Sequence, residues 1–542
     1  MESVRQCVRG RVAGTLAFVW IIVLAGLPDS ARGEEPKGGN GDVTALAERI
    51  DRLLAARQAA EGVKPTRPAD DAEFLRRVSL DLGGRIPRIN IQMQKWLADP
   101  SPEKRRQLVE RVLSSQLYVE HFTNVWRHLL LPPGNNQQAQ ALANQFEPWL
   151  RKQFRDNVRY DAMVRDLLTT PLAANAQPGM PAEPGGRPTA AAFYQINELK
   201  PENLAASASR LFLGVKLECA QCHDHKTASW KRKQFWELAA FFSGIRPQQP
   251  DGVRVAVVLE DPKKRTITYG IDNTEVEARY LDGKTPIWKD DVPTRQTLAE
   301  WVTAADNPYF ARNAVNRLWA HFFGIGIVDP VDEPGPDNPP SHPELLDELA
   351  RAFVDHQFDV KFIIRAITST RAYQLSSEAT DPSQKDARLF ARMTVKGMSG
   401  EQLFDSLAEA TGFADQAASR GPTALMAARA EFLAKFGNAI GRPTEYQTSI
   451  LQALSLMNGK VIADATGLDK GHLGAAIDFP FWNTNRQIEE LYLFALARKP
   501  RPNELERLSK YVDKGGPSGD SRKALADVFW ALLNSSEFIF NH

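Results

Sequence analysis

Cysteine occurs only at positions 7, 219 and 222 of these 542 residues, and the last two are spaced C-x-x-C with His223 directly behind them. Two thiols three positions apart can add to the two vinyl groups of one porphyrin edge while the adjacent imidazole swings under the ring as iron ligand. The CAQCH run therefore has the spacing of c-type haem attachment. Zinc is an alternative: Cys219, Cys222 and His225 form a C-x-x-C-x-x-H half-site needing a fourth ligand from Asp224, His321 or His342. A disulfide closes too small a loop to add much stability and leaves His223 and His225 unexplained. A redox-active dithiol of the thioredoxin kind calls for a βαβ setting, which the surrounding pattern does not provide.

With haem bound, His225 stands on the same side of the ring as His223, two positions away. A sixth ligand then comes from elsewhere, with His321, His342, Met393 and Met398 as candidates, or the iron stays five-coordinate. The aromatic run Phe235, Trp236, Phe241 and Phe242 is expected to wall the macrocycle.

A second polar set lies in residues 307–324, where Ala311, Val315, Leu318 and Phe322 recur at helical spacing and Asn313, Asn316, Arg317 and His321 share another face. Two amides, a guanidinium and an imidazole suit an anionic or sugar-like ligand; the other reading is a buried polar network joining two helical halves. Asp332, Glu333, Asp337 and His342, in a Pro-rich loop, are either a cation site or simply solvated acids. Arg76, Arg77 and Asp81 are expected to make ion pairs around a helix end.

The elements that must position these groups read as helices. Leu46, Ile50, Leu53 and Leu54 have helical spacing in residues 43–57, Ser101-Pro102 reads as an N-cap with Pro in the first turn, and Ser341 to Glu344 reads as a capping box. Asn503 opens a further amphipathic helix, and residues 524–540 (ALADVFWALLNSSEFIF) read as another. Val253, Val255, Val257 and Leu259, then Ile267, Tyr269 and Ile271, then Val276, Ala278 and Tyr280 alternate with period two, predicting about three antiparallel strands. The fold expected is mainly α: two packed multi-helix regions, residues 43–250 and 291–542, with a small β insertion over 251–290 between them. The Pro/Gly-rich stretches 172–189 and 329–343 are expected to rim a site.

Residues 1–33 read as a secretory signal peptide: Arg5, Arg9 and Arg11 precede an uncharged apolar run at 12–27, and Ala31-Arg32-Gly33 offers a small-residue cut site. Retention as an anchor is the alternative, and it is the one route by which this chain would be membrane-bound. A Gly-rich linker follows over 34–42. Lys and Arg number 67 against 66 Asp and Glu, which gives no electrostatic reason to expect a nucleic-acid partner. An apolar content of 43% and a charged content of 25% exclude a disordered or multi-pass membrane chain.

Long runs carry a resemblance to a known family. FLRRVSLDLGGRIP (74–87), VWRHLLLP (125–132), FLGVKLECAQCHDH (212–225) and WKRKQFWELAAFFSG (230–244) resemble the first domain of paired-domain proteins exported by planctomycetes. TLAEWVTAADNPYFARNAVNRLWAHFFGIGIVDPVDE (297–333), PSHPELLDELA (340–350), LSLMNG (454–459), LYLFALARKPRPNEL (491–505) and ALLNSSEFIFNH (531–542) resemble the second. These are a cytochrome-like PSCyt domain followed by a PSD domain, both of unknown activity. The resemblance implies export and gives Cys219, Cys222 and His223 the attachment and proximal-ligand roles. Lys226 stands where Pro is common, and the separate cytochrome domain that some relatives carry ahead of the pair is missing.

The expectation is an exported c-type haem protein in electron transfer or haem-dependent redox chemistry, working with a redox partner protein or an envelope component. The alternative is a zinc-stabilised envelope scaffold that contacts carbohydrate or protein. No nucleophile, base and orienter set can be assembled from spacing, so no reaction is assigned.

Overall fold

The computed structural model describes residues 39–542 apart from 132–136, 173–188, 225–229, 249–256, 334, 336, 414–421, 437–466 and 469–470. The expected signal segment, most of the linker and of the 172–189 stretch, Val253, Val255, His225, Lys226 and the LSLMNG run lie outside the described residues.

The architecture is mainly α. The helix Asn40–Ala60 aligns Leu46, Ile50 and Leu54 on one buried stripe. The helix Asp71–Gly83 starts where the Asp70 carboxylate accepts the Glu73 N–H at 2.8 Å and ends at Gly84, whose φ of 71° is left-handed. Among described residues, no helix is long and apolar enough to cross a membrane.

Several helix boundaries differ from the sequence reading because side chains find other hydrogen-bond partners, most of them local. The helix Lys104–Leu113 begins after a separate turn in which Ser101 Oγ accepts the Glu103 N–H. The helix Pro343–Asp355 has His342 at its cap, since Ser341 Oγ is engaged by the Ile327 carbonyl at 3.1 Å. Pro502–Asp513 starts before Asn503, with the Glu504 carboxylate accepting the Arg501 N–H at 2.7 Å. The last expected helix is two, Ser521–Leu533 and Ser536–Ile539, because Ser535 caps a new start by accepting the Phe538 N–H.

The β insertion is a pair of separate hairpins. Ile245–Gln248 pairs antiparallel with Val257–Glu260, and Thr266–Tyr269 pairs with Thr274–Glu277. The sequence reading missed the first strand, where Pro247 hides the alternation, and placed Ile271 in a strand although it lies fully exposed at a hairpin tip. A third small sheet joins Lys396–Gly397 to Phe540–Asn541.

Two buried apolar clusters form the core. The larger runs from Val43 to Met393 and so continues across the β insertion; the smaller is built from Met398 to Phe538, with Leu80 and Ile86 contributed from the N-terminal side. The helix Asp71–Gly83 therefore serves both. Its Arg76 and Arg77 are fully buried in mid-helix rather than at a helix end; both hold main-chain carbonyls, and Arg77 also makes an ion pair, with Glu73 at 2.8 Å. Arg76 donates to the carbonyls of Ala495 and Phe538, at 3.2 and 2.7 Å, and Arg77 to those of Tyr373 and Leu375, at 2.5 and 2.8 Å.

Asp81, on the same helix, receives Lys396 Nζ at 2.6 Å, Asn541 Nδ2 at 2.7 Å and the Tyr373 hydroxyl at 2.8 Å. Lys396 Nζ also donates to the carbonyls of His321 and Phe322. Burial depresses the Lys396 pKa against the opposing pull of Asp81. This cluster ties four distant segments together in the interior.

Candidate functional site: the CAQCH turn

The chain enters the CAQCH run from the helix Pro201–Ala208, which widens into a π-helical turn over Ser209–Leu213 and stops at Gly214. Gly214 has φ 69°, and a Cβ there would lie 2.8 Å from Asn313 Oδ1, so both backbone conformation and space require glycine. The run itself is a 3₁₀ turn over Glu218–Gln221. Leu217 and Ala220 are fully buried and root the turn in the core, while Cys219, Cys222 and His223 are all exposed. Both cysteines are free thiols.

The helix Arg232–Ala239 clamps the turn from the following side. Phe235, Leu238 and Ala239 are buried and anchor this helix, leaving Trp236 Nε1 to donate to the Gln221 carbonyl at 3.1 Å, with Arg232 Nε donating to the same oxygen at 3.4 Å. The Trp236 ring stacks on Tyr269 of the second hairpin, centroids 5.1 Å apart, and the Arg232 guanidinium lies 4.9 Å from the Tyr269 ring centre. Asp224 continues the clamp: Oδ1 accepts the Arg232 main-chain N–H at 2.9 Å and Oδ2 pairs with Lys231 at 3.1 Å. Those bonds hold the Asp224 carboxyl below its usual range. The Asp224 carbonyl contacts His223 Nδ1 at 2.8 Å.

The helix Phe310–Phe323 steadies the turn from the preceding side. Asn313 Nδ2 donates to the Leu211 carbonyl and Arg317 Nη2 to the Arg210 carbonyl, each at 2.7 Å. Arg317 also pairs with Asp332, the Asp332 carbonyl accepts the Lys216 N–H, and Lys216 Nζ reaches Glu333 at 2.7 Å. Asn316 exchanges two hydrogen bonds with the Val328 main chain, and His321 Nε2 meets the Asp81 carbonyl at 2.8 Å. Each of the four polar residues of this face thus makes a main-chain hydrogen bond, and Arg317 adds an ion pair. Asp332 and Glu333 serve as ion-pair partners of Arg317 and Lys216, which accounts for two of the loop acids considered as a cation site.

The aromatic wall is a correction. Phe235, Phe241 and Phe242 are buried in the larger core, where burying their area stabilises the fold, and Trp236 alone of the four bonds to the turn. The candidate sixth ligands are interior groups too: Met393 and Met398 lie in the two cores, His342 packs on Phe390, and His321 is engaged as above. His225, the third zinc ligand of the alternative reading, lies outside the described residues. Among described residues, no group of three His, Cys, Asp or Glu side chains is placed to hold a metal ion.

Sequence reasoning missed Lys396, Tyr373 and Asn541 around Asp81, and the buried His121, whose ring centre lies 5.6 Å from that of His321. No local spacing marks them, since they come from separate segments. It also missed a cleft of about 470 Å³ lined by Arg67, Arg76, Ser377, Arg498, Arg501 and His542 among others. There Arg67 pairs with Glu378, and Arg498 with both Glu504 and Glu537.

Fold and site together define a class: a mainly helical protein presenting one exposed C-x-x-C-H turn held between helices. Residues 49–247 match the family model PSCyt2, protein of unknown function (DUF1549), and residues 294–431 match PSD1, protein of unknown function (DUF1553). The chain belongs to the family that carries this pair in tandem. No curated protein and no solved structure matches it.

Proposed function

We propose that this chain is an exported c-type haem protein that exchanges electrons with a redox partner protein of the periplasm or cell envelope. The observation that carries the reading is the exposure of Cys219, Cys222 and His223 on one turn that the buried Leu217 and Ala220 root in the core. The donor set fits haem c: each free thiol can add its S–H across one vinyl group, and the neighbouring imidazole can serve as axial ligand. Bound there, haem supplies one-electron exchange at the iron. The chain's own contribution is to hold the two thiols and the imidazole outward. Leu217 and Ala220 anchor the turn from below, Asn313 and Arg317 fix its approach, and Trp236 and Arg232 fix its exit. An open position of this kind suits contact with a protein partner better than enclosure of a small substrate.

The test is an optical spectrum with a denaturing pyridine haemochrome assay, on protein exported from a host that has c-type maturation machinery. A haem band that survives denaturation and acid-acetone extraction supports the reading. Cys222→Ser is expected to abolish covalent retention and His225→Ala to leave it intact. A colourless protein containing stoichiometric zinc overturns it.

A further inference from the structure

A carbonyl oxygen can only accept a hydrogen bond. The 2.8 Å contact between His223 Nδ1 and the Asp224 carbonyl therefore places a proton on Nδ1. In the neutral ring that leaves Nε2 as an unprotonated lone pair on an exposed side chain. An imidazole free in water exchanges between its two tautomers, so something has to hold this acceptor in place.

The Asp224 carboxylate does so. Its Oδ1 occupies one of the main-chain donors left open in the first turn of Arg232–Ala239, at 2.9 Å, and its Oδ2 meets Lys231 Nζ at 3.1 Å. The same helix grips the Gln221 carbonyl through Trp236 and Arg232. His223 thus sits between two residues pinned to one rigid element. The helix in turn is fixed by the buried Phe235 and Leu238 and by the stack of Trp236 on Tyr269. Metal-binding histidines commonly give their second ring N–H to a backbone carbonyl or carboxylate, which sets the tautomer and the basicity of the ligating nitrogen.

We infer that Asp224 is a positioning residue: it holds neutral His223 as the Nδ1–H tautomer and keeps Nε2 outward and ready to ligate a metal. The assignment of that metal as haem iron rests on the function proposed above; the tautomer does not.

The experiment reads the tautomer before any cofactor is added. Histidine-selective ¹⁵N labelling of the mature chain, with long-range ¹H–¹⁵N correlation at about pH 8 and assignment through His223→Gln, gives the Nδ1–H to Nε2–H ratio directly. One net hydrogen bond biases the ratio by about two- to tenfold. The wild type is expected to be mainly Nδ1–H, Asp224→Ala to lose that bias, and Asp224→Asn, which keeps an acceptor for the Arg232 N–H, to retain most of it. A wild-type ring that is averaged or mainly Nε2–H overturns the inference, and so does an Asp224→Ala protein with the wild-type ratio and an unchanged circular-dichroism spectrum. In haem-loaded protein Asp224→Ala is expected to let added imidazole displace His223 at a several-fold lower concentration, and equal displacement in the two proteins counts against a positioning role. A locked tautomer in a chain that takes up no haem would leave the Asp224 assignment standing and remove the haem reading, whereas covalent haem with an unlocked ring would do the reverse.

Discussion

Lys396→Met removes one partner from the most deeply buried ion pair described. Lys396 and Asp81 have side chains 6% and 3% exposed, and the ammonium donates to Asp81 Oδ1 at 2.6 Å and to the carbonyls of Phe322 and His321 at 2.7 and 3.1 Å. Methionine fills similar space without the charge. Asp81 would keep Tyr373 and Asn541 as donors but would become an uncompensated anion in the interior. Breaking a buried pair from one side costs about 3–5 kcal/mol. Chemical denaturation followed by tryptophan fluorescence reads the loss. The control is Lys510→Met, which breaks an exposed pair with Glu506 at 2.7 Å, side chains 68% and 69% exposed, where water screens the charges and little or no loss is expected. Adding Asp81→Asn to Lys396→Met should recover part of the loss, because a neutral amide costs less to bury than a carboxylate. If Lys396→Met costs no more than the Lys510 control, the cluster is not holding the interior together and the reasoning fails.

Acid should weaken the protein through its buried histidines. Burial pushes His121 down to about 3 and His342 to about 4, and depresses His321 as well, against an ordinary value of 6.5. The unfolded chain then binds more protons than the folded one between the two values, so this stability is complete above about pH 6.5 and falls as the pH drops toward 3. Melting temperatures across that window should fall less steeply in a folded His121→Leu variant than in the wild type. Gly214→Ala should loosen the approach to CAQCH, because a left-handed φ of 69° and a Cβ 2.8 Å from Asn313 Oδ1 push Asn313 off the Leu211 carbonyl. About 1–3 kcal/mol of destabilisation is expected in denaturant titration, with faster amide exchange across residues 209–223. Before cofactor loading, both Cys219 and Cys222 should react with a thiol reagent in the native protein, as exposed free thiols do, and covalent haem attachment should abolish both reactions.

Much of the fold was legible because it rests on local pattern. Leu46, Ile50 and Leu54 announced a helix by spacing alone, and Ala311, Val315, Leu318 and Phe322 announced another; both stripes are buried. The helix starts were less legible. Ser341 has the chemistry of a cap, yet Ile327 claims its hydroxyl from 14 residues away. The aromatic run after CAQCH misled for a related reason, since spacing shows that Phe235, Phe241 and Phe242 are apolar but not whether a core or a cofactor covers them.

By itself the sequence determined the helical class, the tandem order of the two family segments, and the C-x-x-C-H turn with its two thiols and adjacent imidazole. Those follow from residue types a few positions apart, which covalent connectivity holds together in any conformation. Only the tertiary structure decided that the turn faces outward, that the Asn313 and Arg317 face serves its main chain, that Asp224 orients His223, and that Asp81 gathers Tyr373, Lys396 and Asn541. Those groups lie up to 460 residues apart, and their hydrogen bonds exist only once the apolar stripes have packed and excluded water around them.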